Sequence, residues 1–478
     1  MKKHRAILLI VLAVVVLAGA GFGASAWAAH RRLLRDTRVV VYPAPQGVRL
    51  SIDTDIRVNG QALSVYETAV NNNRAYSTYP QLSSTPVASF DFSGQAQVEI
   101  RVPGAKSAVV RPLSLGIRPT IRDGVVRFTL RQAALLTIEL NGSTERAIHL
   151  FANAIETDVP AKDDPNVIYI GPGIYEDPVI RLRSNQTLYI AGGAVVRSKI
   201  VANNAQNIRI CGRGIIDGST FDRWTQLNIP IDLRLCKGAA IDGIQLLDPA
   251  GWTINTFACS NVRIDNVKII SARPNGDGIT TQSCSDFVAS NSFVRSWDDS
   301  LVVKNYGNGT SHDVHFRNIT VWTDLAQSCE IGYETRGPQM YDITFEGITV
   351  LHNFHKPVLS IHNSDQAAIH DIHYRDITVE DAQMGEGDAA SDGFLIDLTV
   401  AASQWSQSAE RGSIARITFD NIQVLSGKSP PSRILGFDDA HGIQGVQISN
   451  LTILGKRIHA PQEAGLFIGN AAKDIQIK

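Results

Sequence analysis

From residue 207 onward, apolar and polar positions alternate in a nine-residue frame that recurs to the last residues of the chain. Full units of the form x-V-x-I-x-N-V-x-I occupy 238–246, 261–269, 286–294, 313–321, 342–350, 371–379, 416–424 and 445–453, with half-units beginning at Asn207 and Asp474. Successive units start 23 to 31 residues apart, except for one step of 45 between Asp371 and Arg416. Two β-rich runs joined by one polar residue, at a period in the twenties, predict a solenoid of stacked β-coils. The sixth residue of each unit is Gly243, Asn266, Asn291, Asn318, Gly347, Asp376, Asn421 or Asn450. Gly, Asn and Asp tolerate a left-handed backbone at low cost, so this column predicts the bend between two strands of each coil. Variation in coil length then belongs to loops.

The pattern over 38–155 is different. Short alternating runs such as Val98-Glu99-Ile100-Arg101-Val102 and Leu136-Thr137-Ile138-Glu139-Leu140 are separated by Asn59-Gly60, Asp123-Gly124 and Asn141-Gly142. Many short strands with tight turns predict a small β-sandwich. It carries no cluster of catalytic residue types and reads as a packing or accessory domain in preference to a carbohydrate-binding one. The polar stretch 160–165 marks a linker to a second domain over 165–478.

Residues 1–28 stand apart. A basic start (Lys2, Lys3, Arg5) precedes an apolar run, and Ala26-Trp27-Ala28 supplies a small-x-small cleavage pattern. A signal peptide cleaved after Ala28 is favoured over an uncleaved membrane anchor, and either one predicts a secreted, periplasmic or cell-surface protein.

Composition narrows the picture. With 45 basic and 46 acidic residues the net charge is −1, which gives no electrostatic case for nucleic acid or for an anionic membrane surface. Five cysteines is an odd number for a disulfide framework. Cys236, Cys259 and Cys284 each lie two residues before a unit, so they stack on consecutive coils as parallel buried thiols.

Candidate chemistry sits where loops lead into strands: Asn275-Gly276-Asp277, Trp297-Asp298-Asp299 and Cys329-Glu330-Ile331-Gly332-Tyr333-Glu334. Aligning Ile279, Leu301 and Ile331 as inward residues puts Asp277 directly beneath Asp299, about 5 Å away. Two carboxylates so close raise each other's pKa or share a proton or water, and glycoside hydrolysis needs such a group of acids.

Asn275-Gly-Asp277, followed 21 residues later by Asp298-Asp299, resembles the Asn-x-Asp and Asp-Asp motifs of the polygalacturonases, glycoside hydrolase family 28. The resemblance covers 165–478 and implies a right-handed parallel β-helix that hydrolyses a polysaccharide with inversion. It implies Asp298 as general acid, with Asp277 and Asp299 holding and activating the water, and no cofactor. A sandwich followed by a β-helix is also similar to family 49, the dextranases and isopullulanases. The family's Gly-His-Gly and Arg-Ile-Lys are absent here. Glu330 and Glu334 add negative charge where a uronate carboxylate would bind, unless Lys304, Arg336 or Lys356 compensates, so a neutral glycan fits at least as well.

Asn275, Lys304, Glu330, Glu334, Arg336 and His362 are the candidate substrate-binding residues. Lys304 aligns with Glu334 one rung on, where an ion pair competes with substrate contact. Arg336 binds sugar or caps its loop, and His362 reaches the cleft or is a hydrogen-bonded structural histidine. His352 and His355 lack partners at metal-ligand spacing, so no metal is expected. Trp252 and Trp297 are candidates to stack on sugar, Trp252 reading more as packing. Asp217 is a turn residue. The competing functions are a polysaccharide lyase, with a basic residue as base and a calcium cage, and a non-catalytic cell-surface carbohydrate-binding solenoid.

Overall fold

The computed structural model describes residues 37–224, 229–388 and 390–478; the segment read as a signal peptide lies outside them. From Val167–Ile170 to Ala472–Ile477, thirty strands form one continuous, mainly parallel sheet wound into a right-handed β-helix. The first strand column of each coil contains Ile254–Phe257, Ile279–Gln282, Leu301–Asn305, Cys329–Thr335, Leu359–Asn363 and Ile396–Val400, each hydrogen-bonded in parallel to the next. The nine-residue frame supplies the other two columns, as in Ser285–Ser290 and Phe293–Ser296.

Period-two alternation turns every second side chain inward. Ile279, Leu301, Cys329, Leu359 and Ile396 make one buried column. Phe316, Phe345, Tyr374 and Phe419 make another, with ring centroids 4.8 to 5.1 Å apart and nearly parallel planes. That spacing is the inter-strand distance itself, so identical positions stack without a gap. Cys236, Cys259 and Cys284 are free, buried and stacked, with the Cys236 and Cys259 amides each 3.3 Å from the next sulfur.

The expected bend column is left-handed throughout, with φ between 50° and 56° at Asn266, Asn291, Asn318, Asp376, Asn421 and Asn450. A second left-handed column also occurs. The first residue of every unit is left-handed too, with φ between 51° and 56° at Asn261, Asp286, Asp313, Asp342 and Asp371, 74° at Gly238 and 72° at Gly445. Within these two columns only Arg416, φ 54°, is not Gly, Asn or Asp, and outside them Leu235, Ala258 and Ser283 are left-handed as well, with φ between 49° and 54°.

Ahead of the β-helix, a six-stranded sheet and a five-stranded sheet, Gln61–Ala62 to Thr120–Arg122 at the edges of the latter, face each other. They enclose Ile56, Val58, Phe90, Val98, Ile100, Leu136, Ile138 and Leu150. The six-stranded sheet packs on the flank of the β-helix through Val70, Val87 and Phe151 against Ile270, Phe293, Trp322 and Leu351. Buried polar pairs cross the same interface: Arg213 with Asp91 at 3.0 Å, Gln245 with Ser89 at 3.0 Å, and Arg111 with Glu380 at 2.8 Å. Within it the Arg295–Asp324 pair is wholly buried, 3.0 Å apart. His352 bridges Glu139 of the sandwich and Asp381 of the β-helix. Both that histidine and His355, which meets Asp388 and the Leu325 carbonyl, are thereby accounted for as structural groups.

Because Asn318 is exposed and its φ is 54°, its substitution isolates the backbone term. Asn318→Ala should cost about 1 kcal/mol and Asn318→Gly no more than a few tenths, read as shifts in the denaturant midpoint. Equal costs for the two would rule out left-handed strain as the reason for the column.

Candidate active site

Two short loops lead into Ile279–Gln282 and Leu301–Asn305 and lie one directly on the other. The Gly278 amide donates to the Asp299 carbonyl at 2.8 Å, and the Ile279 amide to the Ser300 carbonyl at 2.9 Å. This closeness requires Gly278, since a Cβ there would stand 2.4 Å from the Ser300 carbonyl oxygen. Beneath the loops runs a buried chain of hydroxyls. Ser296 meets Ser300 at 2.6 Å, Ser300 meets Thr323 at 2.8 Å, Thr323 meets Ser328 at 2.8 Å, and Asn353 donates to Ser328 at 2.9 Å. Each hydroxyl can donate to one neighbour and accept from the next, so the chain fixes the loops, while Oδ1 of Asn353 at its end has no hydrogen-bond partner.

Asp277 thus sits beneath Asp299, as the register of Ile279 with Leu301 implied. Both are buried, while Asp298 is half-buried with its carboxylate accepting the Asp299 amide at 3.0 Å. The Gln327 amide donates to Asp299 at 3.2 Å, but no hydrogen bond reaches Oδ2 of Asp277. Burial pushes Asp277 well above the ordinary carboxylate range; Lys304 opposes the shift, and Asp298, Asp299 and Glu334 add to it. Burial likewise pushes Asp299 up to about 8, with Asp298 contributing and Lys304 opposing. The expected direction holds, but removal of water outranks mutual repulsion as its cause.

Lys304 is the counter-charge. Its Nζ lies 3.2 Å from Glu334 and 3.7 Å from Asp277, and 5.3 Å from the ring of half-buried Trp252. Burial works against its charge, yet Glu334, Asp277 and Asp299 together hold its pKa well above the ordinary lysine value. Asn275, itself left-handed at φ 54°, accepts from Arg223 at 2.5 Å. Arg336 is exposed, its amide donating to the Asn305 carbonyl.

Several expectations are corrected here. Leu301 pairs with Cys329 and Val303 with Ile331; only beyond a bulge does Asn305 meet Thr335. Two extra residues in Cys329–Thr335 absorb the difference, so Lys304 still reaches Glu334. Gly332, φ 129°, permits the bulge, because a Cβ there would be 2.3 Å from the His362 carbonyl oxygen. Glu330 is fully buried, and its carboxylate engages Ser360 and Nδ1 of His362 at 2.9 Å, so it presents no free charge to the cleft. His362 is not open to substrate either. Its Nε2 meets Asp397 at 3.2 Å, and its ring stacks on Tyr333 at 4.3 Å. Burial disfavours its charge, but Glu330 and Asp397 push its pKa up to about 10. Arg433 completes the row with a bidentate pair to Asp397 at 2.6 and 2.9 Å. Trp297 is fully buried and belongs to the core, whereas Trp252 is the tryptophan beside Lys304. Asp217 does make a turn, accepting the Ser219 amide at 3.0 Å, and also pairs with Arg197.

A model of the glycosyl hydrolases family 28 matches residues 159–460. The chain belongs to that family. Among solved structures, this family 28 protein is similar to Dex49A from Penicillium minioluteum, with a TM-score of 0.60, 15% identity, and coverage of 92% of this chain and 96% of that one. It is also similar to the exopolygalacturonase of Thermotoga maritima (TM-score 0.44, 16% identity, 60% and 79% covered). The family 28 exopolygalacturonase of Yersinia enterocolitica gives 0.45 at 12% identity, covering 92% and 96%. No curated protein sequence matches. Membership makes the family 28 protein a polysaccharide-degrading glycosidase, and the Dex49A likeness matches its sandwich-plus-helix fold.

Arg223, Trp224 and Tyr76 were missed in the sequence. Arg223 donates to the Pro274 carbonyl at 2.7 Å, is held below its ordinary pKa by burial, and feels Tyr76, Asp277 and Asp298. Its distance in the chain from either motif hid it, although an Arg-Trp pair in a long loop was a visible signal.

The raised Asp299 has a consequence for stability. The folded chain keeps its proton up to about pH 8, the unfolded chain only to the ordinary value of 3.8. Stability from this carboxyl is therefore full below about pH 4 and falls as pH rises to about 8. Asp299→Asn should melt higher than the parent by about 2 °C or more at pH 8, the gap closing toward pH 5. A gap independent of pH would show that Asp299 is not protonated in the folded chain.

Proposed function

We propose that this family 28 protein is an exported, inverting glycoside hydrolase acting on a polysaccharide or oligosaccharide. The observation that carries the reading is the stacking of Asp277 beneath Asp299 with Asp298 beside them, on loops that close approach and buried hydroxyls hold rigid. Inversion needs an acid on one side of the scissile bond and a carboxylate-held water on the other, about 6.5–9.5 Å apart. Asp298, the half-buried member, is the acid that meets the glycosidic oxygen. Asp277 and Asp299 hold the water, for which the unbonded Oδ2 of Asp277 is the free acceptor. Lys304 restrains the burial-driven rise in both pKa values, moving them toward the ionised form that a base needs.

The amino-terminal basic and apolar run with Ala26-Trp27-Ala28 supports export. Repulsion of a uronate by Glu330 and Glu334 no longer argues for a neutral glycan, because His362 and Lys304 balance them. The charge of the cleft is compatible with either kind of chain.

Asp298→Asn should reduce kcat by about 10²–10⁴ on whichever polysaccharide the parent cleaves, with an unchanged melting temperature. Product anomers followed by NMR immediately after mixing should be inverted; retained configuration would end the proposed mechanism.

A further inference from the structure

Beside the aspartates lies a group of exposed aromatic side chains that this chemistry does not use. Residues 71–82 leave the sandwich after Tyr66–Val70, return at Ser83–Ser93, and in between lean on the β-helix. Asn71 donates to the Ala272 carbonyl at 3.3 Å, and Asn72 accepts from Arg295 at 3.1 Å. Arg74 lies over the Phe354 ring at 3.8 Å. The tip is clasped from both sides: the Tyr76 amide donates to Asp388 at 3.2 Å, and the Trp224 indole donates to the Thr78 carbonyl at 3.0 Å. These partners come from five different coils of the β-helix, so the segment is a strap anchored along its length.

The strap and the Arg223–Trp224 loop together present aromatic faces at the acid cluster. Tyr76 packs 5.9 Å from Trp297, the residue before Asp298, and Tyr79 meets Trp224 edge-on at 6.3 Å. Arg223 lies 4.5 Å over the Trp224 ring while bonding to Asn275, two residues from Asp277. Tyr76 is 57% exposed, Tyr79 79% and Trp224 42%. Clustered large aromatics left in water at this level, on a strap so firmly anchored, serve a ligand better than they serve the fold. A pyranose ring matches them, with apolar C–H faces to stack and hydroxyls to meet the tyrosine O–H groups. Anchoring in advance removes the ordering cost of binding.

We propose that Tyr76, Tyr79 and Trp224 form a glycan-binding subsite adjoining the aspartates, so that the β-sandwich builds part of the substrate cleft. The subsite takes the sugar-ring faces of a chain several units long and sets affinity for polymer, leaving bond cleavage to the aspartates. It rests on the hydrolase reading above.

The test uses the full chain with a panel of polymers including dextran and polygalacturonate. On the polymer the parent cleaves, Tyr79→Ala/Trp224→Ala should raise KM about tenfold with kcat little changed, and Trp224→Phe should recover most of the loss. Unchanged KM in a variant that melts like the parent would overturn the subsite and leave the hydrolase standing. In parallel, the Asp298→Asn chain is run on gels containing each polymer, where binding retards migration. Retardation that disappears with Tyr79→Ala/Trp224→Ala, in a parent that cleaves nothing, would uphold the subsite and refute the hydrolase. Neither cleavage nor retardation would refute both.

Discussion

Parallel in-register pairing between coils is the constraint on which the rest of the molecule depends. Once Ile279 pairs with Leu301, everything at that level of the coil follows at the inter-strand spacing. Aromatic rings stack, thiols stack, and so do two carboxylates that would otherwise avoid each other. The backbone ladder supplies the cohesion that brings Asp277 under Asp299 against their electrostatics. The fold thereby imposes a geometry that side chains alone would not choose.

The cluster survives because the charge around it is arranged in short alternating rows. Asp277, Lys304 and Glu334 form one row; Glu330, His362, Asp397 and Arg433 form the next. In each, a cation stands between carboxylates taken from different rungs, so no buried charge lacks an opposite neighbour. Oδ2 of Asp277 faces Lys304 at 3.7 Å but accepts no hydrogen bond, and it lies where the chemistry is proposed to occur. Desolvation raises its pKa and Lys304 restrains the rise, which keeps a buried acid responsive to what binds beside it.

Much of this was legible in the repeat. The Asn, Gly and Asp column announced the bends, and the Asp277–Asp299 juxtaposition came from aligning two apolar residues. The second left-handed column was equally visible at Asn261, Asp286, Asp313 and Asp342, but a frame read as beginning there disguises a bend as a boundary. The bulge at Gly332 was hidden because its two extra residues restore the alternation on either side, so Glu330 was placed against the wrong neighbour. Its balancing partner, His362, lies 32 residues further on, and the Asp397 that holds the other face of that ring lies 67 further on, beyond any local pattern. The strap was hidden for the same reason: Tyr76 and Asp388 are 312 residues apart.

The flank where the sandwich meets the β-helix also bears on how such a chain can change over time. Phe293, Trp322 and the wholly buried Arg295–Asp324 pair are surfaces of the β-helix that water never reaches while the sandwich is in place. That pair joins two coils of the β-helix, and removing the sandwich would open it to water together with Phe293 and Trp322. Substitutions on that flank must satisfy both parts at once, whereas one in the outer loops or the cleft wall can alter the diet of the enzyme without disturbing its frame.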